Sequence, residues 1–458
     1  MAHLYLPDLL FADGSAHEGV GLLVNDGRVA GIVTPRAAAQ AEVVRLPGRA
    51  LLPGLANAHS HSFQRLFRGR AEDRREGGDT FWTWREQMYR AAAFVSSENL
   101  YDVARATFLE MALSGITAVG EFHYLHNQPD GTAYGNPNLL AETILQAAAS
   151  IGIRINLLRT AYLRAGFQRD PHPGQQRFYE KPDAYLRNLE ALEKTVHGNP
   201  LFSVGAAPHS IRAVPLEVMR EIAACARQRA MVLHLHISEQ TGENEACVAE
   251  YGKTPVELVA ENGILTERTT LVHAIHLSER EFAAVGRAES TIASCPTTER
   301  NLGDGIFPAA LAFEKQIHVA FGTDSQAQID LLEDGRQLEY HLRLQQRERG
   351  ILDGIGGEAI GARLLGCATR NGYRALGLEG GSLSAGEPAD FFTLDLNDLS
   401  LLGADRGSLA MQAVFAANKS AVREVAVAGK LLVQNGRHAR EEEIRSRYAA
   451  VQKAFAQK

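Results

Sequence analysis

Short apolar runs recur along the middle of the chain, and stretches with helical spacing separate them. Eight of the runs read as strands, at 51–58, 116–122, 154–160, 202–208, 231–237, 269–275, 291–295 and 317–323. The stretch Glu98 to Ser114 is one of the intervening helices, with Gly115 as its stop signal. Eight β/α units over about 320 residues fit a TIM-type barrel with insertions. A doubly wound sheet is the rival arrangement, but no glycine-rich phosphate fingerprint follows the first strand. Two long connections, 125–140 and 163–183, are rich in Gly, Pro and Asn. They follow the second and third strands and are expected to cover the catalytic face.

The two ends of the chain have a different texture. Leu22-Leu23-Val24, Asn25-Asp26-Gly27 and Arg28 to Val33 form a hairpin signal. Near the other end, Asp390 to Leu394 and Val422 to Val427 read as strands, and Ala428-Gly429-Lys430 turns into Leu431-Leu432-Val433. Neither end carries enough apolar surface to stand alone. The expectation is an α/β chain: a distorted (β/α)₈ barrel over 52–375 and one small β-sandwich domain built from 1–51 and 376–458, with a C-terminal helix.

Composition narrows the class. At 458 residues, 45% hydrophobic and 22% charged, the chain matches a soluble globular protein with a large core and an accessory piece. The net charge of −7 comes with no basic block, so no nucleic-acid partner is expected. Arg74-Arg75-Glu76 and Glu441-Glu442-Glu443 read as solvated surface. No apolar run reaches about 18 residues, and the start lacks a secretory signal pattern, so no membrane partner is expected. Cys225, Cys247, Cys295 and Cys367 are isolated and form no CxxC, which points to reduced thiols in a cytoplasmic protein.

The chemistry lies at the ends of the strand candidates. His59 and His61 are two apart, so on a strand both imidazoles point to one face while Ser60 points away. The fifth strand candidate offers His234, His236 and then Glu239. Active sites of such barrels lie at the C-terminal strand ends, which favours His236 as ligand and makes His234 a hydrogen-bonded core residue one layer deeper. His273, rather than His276, fits the end of the sixth strand. Asp324, in Gly322-Thr323-Asp324-Ser325, supplies a carboxylate. Imidazole and carboxylate together suit zinc or iron(II), with Zn²⁺ the default. The fourth strand candidate, Phe202 to His209, holds no lysine that would bridge two metals, which favours one ion.

These features resemble the amidohydrolase superfamily over essentially the whole chain. The resemblance rests on Pro53-Gly54 leading to His59 and His61, on His236 with Glu239, on His273, on Gly322-Thr323-Asp324 and on Gly386-Glu387-Pro388-Ala389-Asp390. Within it, His59-Ser60-His61-Ser62-Phe63-Gln64-Arg65 and Phe81 to Tyr89 are similar to the formimidoylglutamate deiminase family. So are Gly120 to His126 and Ala207-Pro208-His209-Ser210-Ile211-Arg212. That resemblance implies zinc on His59, His61, His236 and Asp324, and substrate contacts at Gln64, Arg85, Tyr124, His209 and Arg212. It implies hydrolysis of N-formimino-L-glutamate to N-formyl-L-glutamate and ammonia in histidine degradation, by a homodimer.

The residues agree with a small dicarboxylate substrate. Arg85 and Arg212 fall in segments read as loops facing the metal, and guanidinium forks suit bidentate carboxylate binding. Trp82 and Trp84 read as packing for their segment. The expected chemistry has Asp324 taking a proton from water, Glu239 carrying a proton to the imino nitrogen and then to the departing ammonia, and His273 steadying the attacking oxygen. Gln64 and His209 would orient the formimino group, while Arg85, Tyr124 and Arg212 grip the glutamate part. The enzymatic alternative is a mononuclear-zinc aminohydrolase acting on a purine, pyrimidine or triazine ring, which would need a flat pocket with few cations. A non-catalytic assembly protein is the other class, and such chains generally lose metal ligands that this one keeps.

Overall fold

The computed structural model describes residues 2–72 and 81–457, with side chains from Trp84 onward in the second stretch. Arg74-Arg75-Glu76 and the Trp82 side chain lie outside the described residues. Eight parallel strands follow one another in sequence order: β1 (Leu55–Ser60), β2 (Ile116–His123), β3 (Arg154–Ala161), β4 (Phe202–Pro208), β5 (Leu233–Ile237), β6 (Thr269–His273), β7 (Thr291–Ser294) and β8 (His318–Phe321). Every residue of β1, β2 and β3 is buried, so both faces of these strands are covered and none alternates between core and solvent. Val119 sits opposite Ile155, Leu157 opposite Val204, and Leu271 opposite Ile292. A single parallel bridge, Ser60 to Asp324, brings β8 back to β1. His61 N–H donates to Asp324 O and Asp324 N–H to His59 O, both at 3.0 Å. The barrel therefore closes through the backbone of the metal-type residues themselves.

The apolar run 51–58 divides between two sheets, and this corrects the reading of it as one barrel strand. Leu51 to Pro53 end the strand Glu42–Pro53, which pairs with Phe391–Asp395, and the barrel begins only at Leu55. Gly54 makes the change of direction. A Cβ there would lie 2.2 Å from Thr117 Oγ1, so no larger residue fits.

Strands from both ends join in one continuous hydrogen-bonded sheet of nine. His3–Ala12 lies parallel to Glu42–Pro53, and Val422–Val427 lies antiparallel to Phe391–Asp395. The expected hairpin forms between Gly21–Asn25 and Arg28–Val33, with Asp26 and Gly27 at φ 49° and 77°, as a primed turn requires. Asp390 ties this sheet to the barrel. Its carboxylate accepts from both Arg154 Nε and Nη2, from Tyr373 OH at 2.7 Å and from the Ala428 N–H at 2.7 Å. The C-terminal helix Glu441–Ala456 lies against the barrel helix Ser97–Leu113, where Arg105 forks onto Glu443. All four cysteines are free. Among the described residues no helix is long and apolar enough to cross a membrane.

Candidate metal centre

His59 and His61 leave the end of β1 toward the barrel axis, as the two-residue period requires. His236 comes from β5 and Asp324 from just beyond β8, and the ligand atoms of all four lie within 4.8 Å of one another. His59 Nε2 is 3.1 Å from His61 Nε2. Asp324 Oδ1 is 3.3 Å from His59 Nε2 and 3.2 Å from His61 Nε2. A tetrahedral ion with ligands at about 2.0–2.1 Å separates its donor atoms by about 3.3–3.4 Å, so these spacings fit.

The ring tautomers fit as well. His61 Nδ1 is 2.9 Å from Phe122 O and His236 Nδ1 is 3.2 Å from His209 O. Those carbonyls accept hydrogen bonds from the Nδ1–H groups, which leaves each Nε2 a lone pair aimed at the shared centre. His61 Nε2 and the Asp324 carboxylate are then two acceptors facing each other, an arrangement that a cation between them explains. Burial holds His59 down to about 3 and His236 well below the usual imidazole range, so both rings are neutral.

His273 ends β6 and sits among carboxylates. Its Nδ1 is 3.3 Å from Glu299 Oε1, and its Nε2 is 3.6 Å from Glu239 Oε1 and 4.0 Å from Asp324 Oδ2. Burial opposes charge on this ring, but Glu239, the bond to Glu299 and Asp324 together lift it to about 10. Ser238, His273 and Asp324 have φ of 49°, 70° and 44°, left-handed values that non-glycine residues hold only where the surroundings impose them. Three of the strand ends that build the site are therefore backbone turns out of the barrel wall. His276 faces away, with Nε2 on Asp304 O at 2.9 Å. His234 is fully buried, with Nε2 on Ala375 O at 2.7 Å, the core role its depth predicts.

One cavity has His61, His236, Glu239, His273 and Asp324 at its floor and Gln64, Arg85, Tyr124, His209 and Arg212 along its walls. Arg212 lies in the turn after β4. Arg85 lies on the helix Phe81–Phe94 rather than in the loop expected for it, with its guanidinium 5.6 Å above the Tyr89 ring. Both arginines act on His209, which burial chiefly pushes well below its ordinary value. Trp84 packs edge-on against Phe67 at 5.5 Å, as expected of packing, but it also forms part of the cavity wall.

Several residues at the site have no counterpart in the sequence reading. Glu121, at the end of β2, accepts from Ser60 Oγ and from the Ser62 N–H, each at 2.7 Å, and so braces the His59-Ser60-His61 segment. Gln326 Nε2 reaches Ser60 Oγ at 2.9 Å from the other side of the barrel closure. Glu299 accepts from the Cys295 N–H at 2.7 Å and from His273. His273, Cys295 and Glu299 form a second group with metal-type atoms. Burial keeps the Cys295 thiol protonated and Glu299 is already engaged, so this group supports His273. Tyr162, Met88 and Leu302 complete the cavity wall. Glu121 lies in the Gly120 to His126 stretch of the resemblance, which gave it no role, and for Tyr162 the available signal was its position just past a barrel strand.

Residues 50–432 match the amidohydrolase family. The chain belongs to the amidohydrolase family. This amidohydrolase is a hydrolase acting on C–N bonds. It is 38% identical to a formimidoylglutamate deiminase of Pseudomonas aeruginosa over 99% of this chain and 98% of that one. It is 28% identical to a 5-methylthioadenosine/S-adenosylhomocysteine deaminase of Teredinibacter turnerae, over 90% of this chain and 87% of the other. Among solved structures, an amidohydrolase from Brucella melitensis superposes with a TM-score of 0.92 at 33% identity, covering 99% of this chain and all of that one. A zinc-bound adenosine deaminase from Xanthomonas campestris shares the fold, with a TM-score of 0.85 at 22% identity over 100% of this chain and 99% of that one.

Proposed function

We propose that this amidohydrolase hydrolyses N-formimino-L-glutamate to N-formyl-L-glutamate and ammonia in histidine degradation, as a cytoplasmic homodimer with one zinc per subunit on His59, His61, His236 and Asp324. The observation that carries the reading is the pair of guanidiniums, Arg85 and Arg212, on the walls of a cavity whose floor is the metal-type group. A dicarboxylate whose remaining end is an amidine matches both parts. The 38% identity to a formimidoylglutamate deiminase supports it.

The metal, when bound, acidifies a coordinated water toward a pKa of about 7. Asp324 takes a proton from the attacking water, and the water oxygen adds to the formimino carbon. Glu239 delivers protons to the imino nitrogen, the C–N bond to that nitrogen breaks, and ammonia leaves. His273, held between Glu239 and Glu299, donates toward the oxygen that adds. Gln64 has a buried Oε1 without a protein partner among the described residues, an acceptor suited to an amidine N–H. Its Nε2 donates to Tyr124 OH at 2.8 Å and so orients that phenol at the wall. His209 is kept neutral beside the metal-type group, and Arg85 and Arg212 hold the carboxylates.

Zinc-loaded protein incubated with N-formimino-L-glutamate is expected to release ammonia, with N-formyl-L-glutamate identified by mass spectrometry. Formamide with glutamate would mean that the other C–N bond breaks. No turnover with metal bound, and ammonia released from a purine, pyrimidine or triazine instead, would overturn the reading. Arg212→Ala is expected to raise KM about 10- to 100-fold with a smaller change in kcat, because a charge-assisted contact is lost. An unchanged KM would remove Arg212 from substrate binding.

A further inference from the structure

Tyr162 follows β3 directly and forms part of the cavity wall, with its ring 4.6 Å from that of His209. Gln175, in the long connection after β3, places its Nε2 3.0 Å from Tyr162 OH and 3.0 Å from Tyr89 OH. The orientation of this amide is fixed from its other end. Gln175 Oε1 accepts the His172 N–H at 3.0 Å, so the end facing the two phenols is the NH₂ group. Its two protons go to the two phenol oxygens. Tyr162 is therefore an acceptor toward Gln175 and keeps its own proton for another partner.

Among the described residues, no other atom makes a hydrogen bond with the Tyr162 hydroxyl. The neighbouring charges belong to Arg212 and Arg85, and burial outweighs their pull and keeps the phenol protonated. A buried phenol with a fixed acceptor side and an uncommitted proton thus stands beside two guanidiniums on one cavity wall. We infer that Tyr162 donates its proton to a carboxylate of the substrate and, with Arg85 and Arg212, sets the requirement for a dianionic ligand, while Gln175 acts as its positioning residue. The inference rests on the dicarboxylate reading given above.

Tyr162→Phe tests it, because the variant keeps the ring and its packing on His209 and Phe178 and loses only the hydroxyl. Two readouts are needed: kcat and KM for N-formimino-L-glutamate, and the calorimetric Kd of N-formyl-L-glutamate. Both KM and Kd are expected to rise about 10- to 100-fold, as for loss of a hydrogen bond to a charged group, with kcat within about threefold of wild type. Unchanged KM and Kd in a variant with wild-type Tm and metal content would overturn the inference and leave the hydroxyl facing water. A fall in kcat alone would also overturn it. Wild-type protein that binds N-formyl-L-glutamate without turning over the formimino compound would sink the proposed reaction only, and the Kd comparison would still decide Tyr162. Wild-type protein that binds neither compound would overturn both. Gln175→Met is expected to raise Kd in the wild-type background and add nothing to Tyr162→Phe. An equal rise in both backgrounds would remove Gln175 from the role.

Discussion

Glu239→Gln is expected to keep its fold and its bound metal while losing at least about 10²- to 10⁴-fold in kcat, the range that general acid–base catalysis supplies. Glu239 stands two residues past β5, after Ser238 turns the backbone out of the strand, and it is almost wholly buried. Its carboxylate lies beside His273 rather than in the group of four metal-type donors, so an isosteric amide removes a proton carrier without removing a ligand. It is also the foremost charge that keeps His273 protonated against burial, so one substitution weakens two proton-handling groups. Steady-state ammonia release together with metal content by mass spectrometry checks both halves. Turnover within about threefold of wild type would dismiss Glu239 as the proton carrier, and loss of metal would show that it belongs to the ligand sphere instead.

The residues at the cavity floor were legible because each announces itself locally. His59 and His61 show the two-residue period of a strand after an apolar run, and His236, His273 and Asp324 each close such a run. Eight buried strands in sequence order then leave little choice of architecture. What stayed hidden depends on pairs far apart in the chain. The run 51–58 looks continuous because both sheets ask for apolar residues, and only the pairing of Leu51 to Pro53 with Phe391–Asp395 reveals the change of sheet. Asp390 was visible as part of a motif, but its partner Arg154 lies 236 positions away and no spacing connects them. The bracing of Ser60 by Glu121 and Gln326 from either side likewise appears only once the barrel closes. Arg85 was placed near the site from resemblance and guanidinium chemistry, while its helix went unread.

Glu180→Gln is expected to cost about 3–5 kcal/mol of stability at pH 7, since it leaves Arg159 buried without its counter-charge. Arg159 is fully buried in β3 and forks onto Glu180, with its Nε on Asn138 Oδ1 at 2.9 Å. Asn138 and Glu180 belong to the two long connections after β2 and β3, so one guanidinium fastens both to the barrel wall. Burial alone would raise the Glu180 carboxyl, but His126 and Arg159 outweigh it and hold it at about 2. The folded-state value lies below the unfolded one of about 4.5, so as pH falls the unfolded chain binds this proton first. The stabilisation is complete above that value and drains away between about pH 4.5 and 2. Urea unfolding of wild type and variant should therefore differ most at neutral pH, and the gap should narrow by about 1.4 kcal/mol at pH 3.5. A gap below about 1 kcal/mol with no change of slope would mean that the desolvation of two ions cancels their attraction at this site. The two connections after β2 and β3 would then owe their placement to apolar packing rather than to Arg159.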